Sequence, residues 1–204
     1  MRIGTRKTSG KILASVVLVG AAASVAGLGT YGSFTSSTTA SEDVSTGKVV
    51  LAAAEGAHGL SIDATNLVPG DTVQRSIVLT RSGDSERFGS VKLTTTGSTA
   101  NLLTSDATNG LQLKLEQCSV PWTQGTTAHD LKCTGETAVV LAQRAVIGAD
   151  LDLSVATTTL NSAAATSNLR ATVTLPESAD NAFQGLSNTV SFAFLATQRA
   201  AESR

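Results

Sequence analysis

The alternation that decides the fold is clearest at residues 169–175, which read Leu-Arg-Ala-Thr-Val-Thr-Leu. Apolar and polar side chains take turns there, and successive side chains of a strand point to opposite faces of a sheet. A strand of this kind buries one face and leaves the other in water, as antiparallel sheets commonly do. The stretch is therefore predicted to be a half-buried strand of an antiparallel sheet.

The same alternation recurs along the chain between turn residues such as Pro69-Gly70-Asp71 and Asn109-Gly110. The other predicted strands lie at 60–64, 73–79, 91–94, 111–116, 151–155 and 190–194. Residues 137–147 are ambiguous between strand and helix, with strand favoured for Ala138–Leu141. Helix signals are limited to short turns within 101–108 and 180–186. Short strands with frequent turns predict an all-β fold, a jelly-roll-like antiparallel β-sandwich with short helical turns.

The N-terminus has the three parts of a secretory signal. Four basic residues fall within the first eleven, an uncharged apolar stretch runs over residues 12–28, and small residues follow. Thr30 and Gly32 put small side chains three and one residues before a cut, so cleavage is predicted between Gly32 and Ser33, with a cut after Ala40 as the alternative. A retained membrane anchor is the rival interpretation, because spanning helices need about 17–25 residues.

Three parts of the chain follow from this pattern: a signal peptide with a signal helix (1–32), a Ser/Thr-rich N-terminal segment that would be flexible alone (33–46), and a β-sandwich domain (47–204). Cleavage removes four of the 15 basic residues and none of the 16 acidic ones, which leaves a formal charge of −5. With no basic cluster after the signal, nucleic acid is not an expected partner. Contact with a membrane is expected only through the signal segment before cleavage.

Cys118 and Cys133 are the two cysteines of the chain, with 14 residues between them. In the oxidising compartment that a secretory signal implies, they are predicted to form a disulfide. Two buried free thiols are the alternative, and a zinc site that uses His129 is a weaker one. Trp122 lies inside this cysteine loop, where it can pack over the disulfide or act as a surface anchor for a partner.

Residues for catalysis do not form a recognisable set. The chain has no His-Glu-x-x-His, Gly-x-Ser-x-Gly or phosphate-binding glycine motif. His58 and His129 are expected in solvated loops. Asp150 and Asp152 could hold Ca²⁺, but a solvated strand face is the favoured explanation. The residues therefore predict neither an enzyme nor a cofactor.

Several short motifs occur in an order that resembles the TasA/camelysin-type family. They are Gly-Leu-Gly-Thr-Tyr-Gly-Ser-Phe at 27–34, Gly-Lys-Val-Val-Leu at 47–51, Asn-Leu-Val-Pro-Gly-Asp at 66–71, Ser-Gly at 82–83, Gln-Gly at 184–185 and Phe-Leu-Ala-Thr-Gln at 194–198. The similarity extends over most of the chain, although the cysteine loop is not part of the pattern of the founding members.

This resemblance implies a jelly-roll-like β domain that is exported through a SipW-type signal peptidase to the extracellular matrix or cell surface. Members are biofilm-matrix or surface proteins, and some form fibres in which a freed N-terminal strand inserts into the next subunit. The corresponding donor strand here would be Ser33, Phe34, Thr35, Ser36, Ser37, Thr38, Thr39 and Ala40. A monomeric adhesion or binding domain, secreted or still anchored, is the alternative. Some relatives are described as metalloproteases, but this sequence has no recognisable zinc motif.

Overall fold

The structure is a computed structural model that describes residues 35–38, 51–55, 60–127 and 130–200. The chain divides into two units, residues 1–33 and 34–204. The first unit lies outside the described residues, as do the predicted signal peptide and its cut between Gly32 and Ser33. Both stay predictions.

The strands of the described residues, in chain order, are β1 (Thr35–Thr38), β2 (Leu51–Glu55), β3 (Ser61–Ala64), β4 (Thr72–Arg81), β5 (Phe88–Gly97), β6 (Gln112–Cys118), β7 (Thr123–Gln124), β8 (Leu131–Lys132), β9 (Thr137–Ala145), β10 (Gly148–Asp152), β11 (Thr166–Thr174) and β12 (Asn188–Gln198). Two short helices, α1 (Leu102–Ser105) and α2 (Ser154–Leu160), and a 3₁₀ turn (Asn181–Phe183) connect them.

Two antiparallel sheets pack face to face, which confirms the predicted β-sandwich. In sheet A, β12 lies between β5 and a pair of short strands, β1 and β3, and β5 in turn pairs with β10. Sheet B has the order β2-β4-β11-β6-β9. The β7–β8 ladder is separate from both sheets.

The core lies between the two sheets and is built from the apolar half of each alternating strand. In β11, Leu169, Ala171 and Val173 are fully buried, while their polar neighbours are partly exposed. In sheet A, β12 contributes Val190, Phe192, Phe194 and Ala196 in the same way. Because the side-chain period of a strand is two, the alternating pattern read from the sequence fixes which face is buried.

The turn at Pro69-Gly70 confirms the turn predicted there and sets the start of β4. The Asp71 N–H donates to the Val68 carbonyl at 2.9 Å, and Gly70 has a φ of +96°. This is a type II turn, which favours proline at its second position and requires a left-handed residue at its third. Glycine supplies that conformation without a steric penalty.

The strand predicted at Leu151–Val155 is wrong in its second half. β10 ends at Asp152, and helix α2 begins at Ser154. Leu153, Ala156, Thr157 and Leu160 are buried and recur with helical spacing. Thr157 tolerates burial because its hydroxyl accepts from the Val91 N–H at 2.9 Å and donates to the Leu153 carbonyl at 3.0 Å. Three consecutive threonines, which are β-branched and favour strands, made this segment resemble a strand in the sequence.

Three further local predictions agree with the structure. β9 confirms the strand at Ala138–Leu141, and α1 and the 3₁₀ turn confirm the two helical turns. The helices in the described part of the chain are all too short or too polar to cross a membrane.

Candidate functional site

The outer edge of β12 is covered by two short strands placed end to end. β3 pairs with the first part, from Asn188 to Ser191, and the Phe192 N–H then donates to the Leu60 carbonyl at 3.1 Å. β1 pairs with the later part, from Phe194 to Thr197. One edge of the central strand is therefore completed by two separate segments of the chain.

The part of β12 under β1 belongs to the core. Phe194 and Ala196 are fully buried, and the register places Thr38 opposite Phe194 and Ser36 opposite Ala196. Residues that face each other in adjacent strands share a face of the sheet. The two core-facing register positions of β1 are thus occupied by a serine and a threonine rather than by large apolar residues.

The predicted donor strand, residues 33–40, overlaps this edge. Its middle four residues form β1 on the β12 of the same chain, whereas Ser33, Phe34, Thr39 and Ala40 lie outside the described residues. The segment thus occupies, within its own chain, the kind of edge that a donor strand would occupy in a neighbour. Its transfer between copies stays a prediction.

The second feature is the segment between β6 and β9, residues 119–136, which we call the hairpin segment. The predicted disulfide is confirmed: Cys118 and Cys133 are bonded, with their Cα atoms 5.8 Å apart. A closed loop of this length stabilises the folded chain by about 3 kcal/mol in the chain-entropy account. β7 and β8 pair with each other within this loop.

Trp122 fixes the hairpin segment to the outer face of sheet B. Its indole Nε1–H donates to the Asn168 carbonyl of β11 at 3.0 Å, and the Arg170 guanidinium lies 4.3 Å from the ring centroid. Arg170 also donates to the Leu131 carbonyl at 2.8 Å, and the Leu131 N–H donates to the Gln74 side chain at 2.8 Å. The indole therefore stacks with a cation and anchors the segment to β11.

Charged residues on sheet B surround this contact. Glu116 forms ion pairs with Arg170 and with Lys114. Burial raises the pKa of the Glu116 carboxyl, but hydrogen bonds and positive charge from Lys114 and Arg170 outweigh burial, so its pKa lies below the ordinary value. Glu116 and Arg170, together with Trp122, Asp130 and Lys132, line an open cleft of about 350 Å³ beside the hairpin segment.

Trp122 and the two cysteines were identified from the sequence, whereas Gln74, Glu116 and Arg170 were not. Each stands at an outward position of an alternating strand, where charged and polar residues are ordinary. The one signal that could have indicated them is the clustering of Lys114, Glu116 and Arg170 on adjacent strands β6 and β11. Recognising this cluster requires the register between β6 and β11, which cannot be read from the sequence.

The candidate metal-binding residues do not converge where the structure describes them. His58 and His129 lie outside the described residues. Asp150 and Asp152 are both exposed, and the Asp150 N–H donates to the Thr94 hydroxyl at 3.2 Å. Among residues 35–38, 51–55, 60–127 and 130–200, no three His, Cys, Asp or Glu side chains are placed to hold a metal ion. The described residues therefore do not fit a catalytic zinc ion.

These two features belong to a small antiparallel β-sandwich domain in which two short strands complete one edge of β12. The chain is a member of the family whose model is described as camelysin metallo-endopeptidase, which matches residues 7–203 and confirms the resemblance to TasA/camelysin-type proteins. That description counts against the expectation that the chain is not an enzyme. No curated protein matches the chain.

Proposed function

We propose that this chain is a secreted structural protein of the cell surface or extracellular matrix, and that copies assemble into fibres by exchanging β1. Membership in a family that is in general extracellular or surface-associated supports the location. The observation that carries the assembly proposal is the position of β1 as a four-residue edge strand with no large apolar residue. Such a strand can leave β12 without taking part of the core with it.

The connection between β1 and β2 is long enough for exchange. Residues 39–50 separate the two strands, and twelve residues can span at most about 40–43 Å when fully extended. When β1 leaves, the vacated part of β12 presents unpaired N–H and C=O groups, which favour pairing with another strand. A strand from a second copy restores the same backbone hydrogen bonds by strand addition.

Repeated exchange in one direction produces a filament. Each copy gives its β1 to a neighbour and receives one on its own β12, so the contact is head-to-tail and need not close. In this proposal a SipW-type signal peptidase acts as the switch. Its cut before Ser33 leaves two residues ahead of β1. The strand then lies next to a free chain end and can separate from β12.

Mixing two variants that each carry one added cysteine, beside the bonded Cys118–Cys133 pair, tests the exchange directly. Thr35 and Thr197 lie opposite each other in the β1–β12 pair. The chain from Ser33 carrying Thr35→Cys is mixed with the same chain carrying Thr197→Cys, then oxidised and analysed on non-reducing gels. Exchange predicts a disulfide between the two variants. A mixture of Thr35→Cys with Thr96→Cys, an exposed position on β5, is the matched control and should give little cross-linking.

The competing interpretation is a monomeric adhesion or binding domain, either secreted or anchored through residues 12–28. Mass spectrometry of the exported protein identifies its first residue and separates secretion from anchorage. Electron microscopy and size-exclusion chromatography of the chain from Ser33, compared with a chain from Gly47, test assembly. A chain from Ser33 that stays monomeric under all conditions would exclude the fibre proposal.

The family description favours a metallo-endopeptidase as the second candidate function. We infer no catalytic step for it, because the described residues provide no fitting metal site. Hydrolysis of casein that a chelator abolishes, and that His58→Ala or His129→Ala removes, would establish this activity. Hydrolysis that persists in both variants would point to a contaminating protease.

A further inference from the structure

The hairpin segment lies outside the sandwich and contributes nothing to its core. None of its described residues, which exclude 128 and 129, belongs to the buried apolar set, and Val120 is 37% exposed. β7 and β8 contain two residues each and pair only with each other in the described part of the chain. A hairpin this short is not stable in water without further support.

The support consists of one covalent bond and a few polar contacts. Beyond the Cys118–Cys133 bond, the contacts with sheet B include the hydrogen bond from Trp122 to Asn168, the contacts of Arg170 with Leu131 and with the indole ring, and the hydrogen bond from Leu131 to Gln74. At the base, Ser119 and Glu136 exchange two hydrogen bonds of 2.9 Å. Water can compete for each of these hydrogen bonds, but it cannot replace the Cys118–Cys133 bond.

We propose that the Cys118–Cys133 disulfide is a redox-operated latch. Reduction by a dithiol releases the hairpin segment from the outer face of sheet B while the sandwich stays folded. The released face carries Gln74 on β4, Glu116 on β6, and Asn168 and Arg170 on β11. Accessibility of this polar strip then depends on the redox state of the surroundings.

The two sulfurs differ in access, which sets the order of the exchange steps. Cys118 is 1% exposed, whereas Cys133 is partly exposed. A thiolate of the dithiol attacks the Cys133 sulfur, the Cys133–Cys118 bond breaks, and Cys118 leaves as a thiolate that takes up a proton. The second thiolate of the reductant attacks the mixed disulfide, and Cys133 leaves and is protonated. The chain gains two electrons and two protons, and the dithiol becomes a disulfide.

The sandwich is expected to survive reduction because the strands around the latch are held independently. β6 pairs with β11 through seven register positions, from Gln112 to Cys118. Leu113 and Leu115 of the same strand are fully buried in the core. These contacts do not pass through the hairpin segment, so its release is a local opening.

Trp122 makes the latch directly measurable, since it is the single tryptophan of the chain. The oxidised purified protein is titrated with dithiothreitol while tryptophan emission, acrylamide quenching and far-ultraviolet circular dichroism are recorded. We expect a red shift and stronger quenching that follow one two-electron step and reverse on oxidation, with unchanged circular dichroism and a retained cooperative thermal transition. The Cys118→Ser/Cys133→Ser variant should show the reduced spectrum without any reductant.

Amide hydrogen exchange provides a second readout that does not depend on that variant. On reduction, exchange at Leu131 should accelerate at least about tenfold, while exchange at Ala171 in β11 should not change. The proposal would be overturned if titration shows both cysteines to be reduced while tryptophan emission and amide hydrogen exchange at Leu131 stay unchanged. The polar contacts alone would then hold the hairpin segment in place. Loss of the cooperative transition together with the emission shift would also overturn it, because the disulfide would then hold the whole sandwich.

Discussion

β3 and β1 share one edge of β12 and have the same length, but they are attached to the protein in different ways. β3 places Ile62 and Ala64 in the core, both fully buried. β1 reads Thr-Ser-Ser-Thr and brings no large apolar residue to the same edge. Burying one isoleucine stabilises a fold by roughly 1.5–3 kcal/mol, whereas a backbone hydrogen bond adds about 0.5–1.5 kcal/mol net.

Under the proposed function, this difference separates a permanent strand, β3, from an exchangeable one, β1. A strand held by core side chains can leave only if the core is disrupted, so β3 should remain in place in every state of the folded protein. A strand held through its backbone can be replaced by any other strand that offers the same hydrogen bonds. In the proposed assembly, the side chains therefore determine which half of the β12 edge takes part in exchange between copies.

Truncating Ile62 should have the largest effect on stability. Ile62→Ala removes buried methyl groups and leaves a cavity, so the free energy of unfolding should fall by about 2–5 kcal/mol. The matched change in β1, Thr38→Ala, should change it by less than about 1 kcal/mol. Urea denaturation of both variants measures the two values. Equal losses would show that β1 is as firmly built into the core as β3.

Two prolines in β1 should abolish assembly with little effect on stability. Adjacent residues of a strand direct their N–H groups to opposite sides, so in Ser37→Pro/Thr38→Pro one lost donor must face β12. Fibres should disappear by electron microscopy, while the free energy of unfolding should change by no more than about 1–2 kcal/mol. Ser45→Pro/Thr46→Pro, outside the paired strand, is the control. Fibres that persist in the first variant would exclude β1 as the donor.

The sequence was sufficient for the sandwich and for the disulfide, because both depend on local signals. Alternation of period two identified the buried faces of β6, β11 and β12, and two cysteines in a chain with a predicted secretory signal allow one intramolecular pair. Helix α2 was missed because Thr157, Thr158 and Thr159 have a strand-like composition. Its buried stripe of Leu153, Ala156 and Leu160 outweighs that local preference, which tertiary packing commonly does.

The pairing of β1 with β12 and the contact of the hairpin segment with sheet B could not be located from the sequence. Both depend on how segments that are distant in the chain are aligned with each other. Thr38 and Phe194 are opposite each other in paired strands although more than 150 residues separate them in the chain. The Arg170 side chain, on the outward face of β11, donates a hydrogen bond to the Leu131 carbonyl. Neither contact has a local pattern that distinguishes it from an ordinary polar strand face. The family resemblance indicated the N-terminal segment as a donor, but it gave no information about the hairpin segment.

Apolar substitution in β1 should make it resemble β3. Ser36→Val/Thr38→Val places two β-favouring apolar residues opposite Ala196 and Phe194, the core-facing register positions. We expect the free energy of unfolding of the monomer to rise by about 1 kcal/mol and the exchange of β1 to slow, as measured by the rate of cross-linking between cysteine variants. Faster exchange in this variant would contradict the assignment of these positions to the core side.

A change to Thr197 should have the smallest effect and tests whether backbone pairing alone holds β1. The Thr197 hydroxyl is hydrogen-bonded to Ser90 at 2.8 Å, and the residue lies opposite Thr35. Thr197→Val keeps the shape and the backbone donors but loses the hydroxyl, so stability should change by no more than about 0.5 kcal/mol. Assembly measured by light scattering should be unaltered. If it is lost, specific side-chain recognition holds β1, and its exchange would then be limited to strands with a matching hydroxyl pattern.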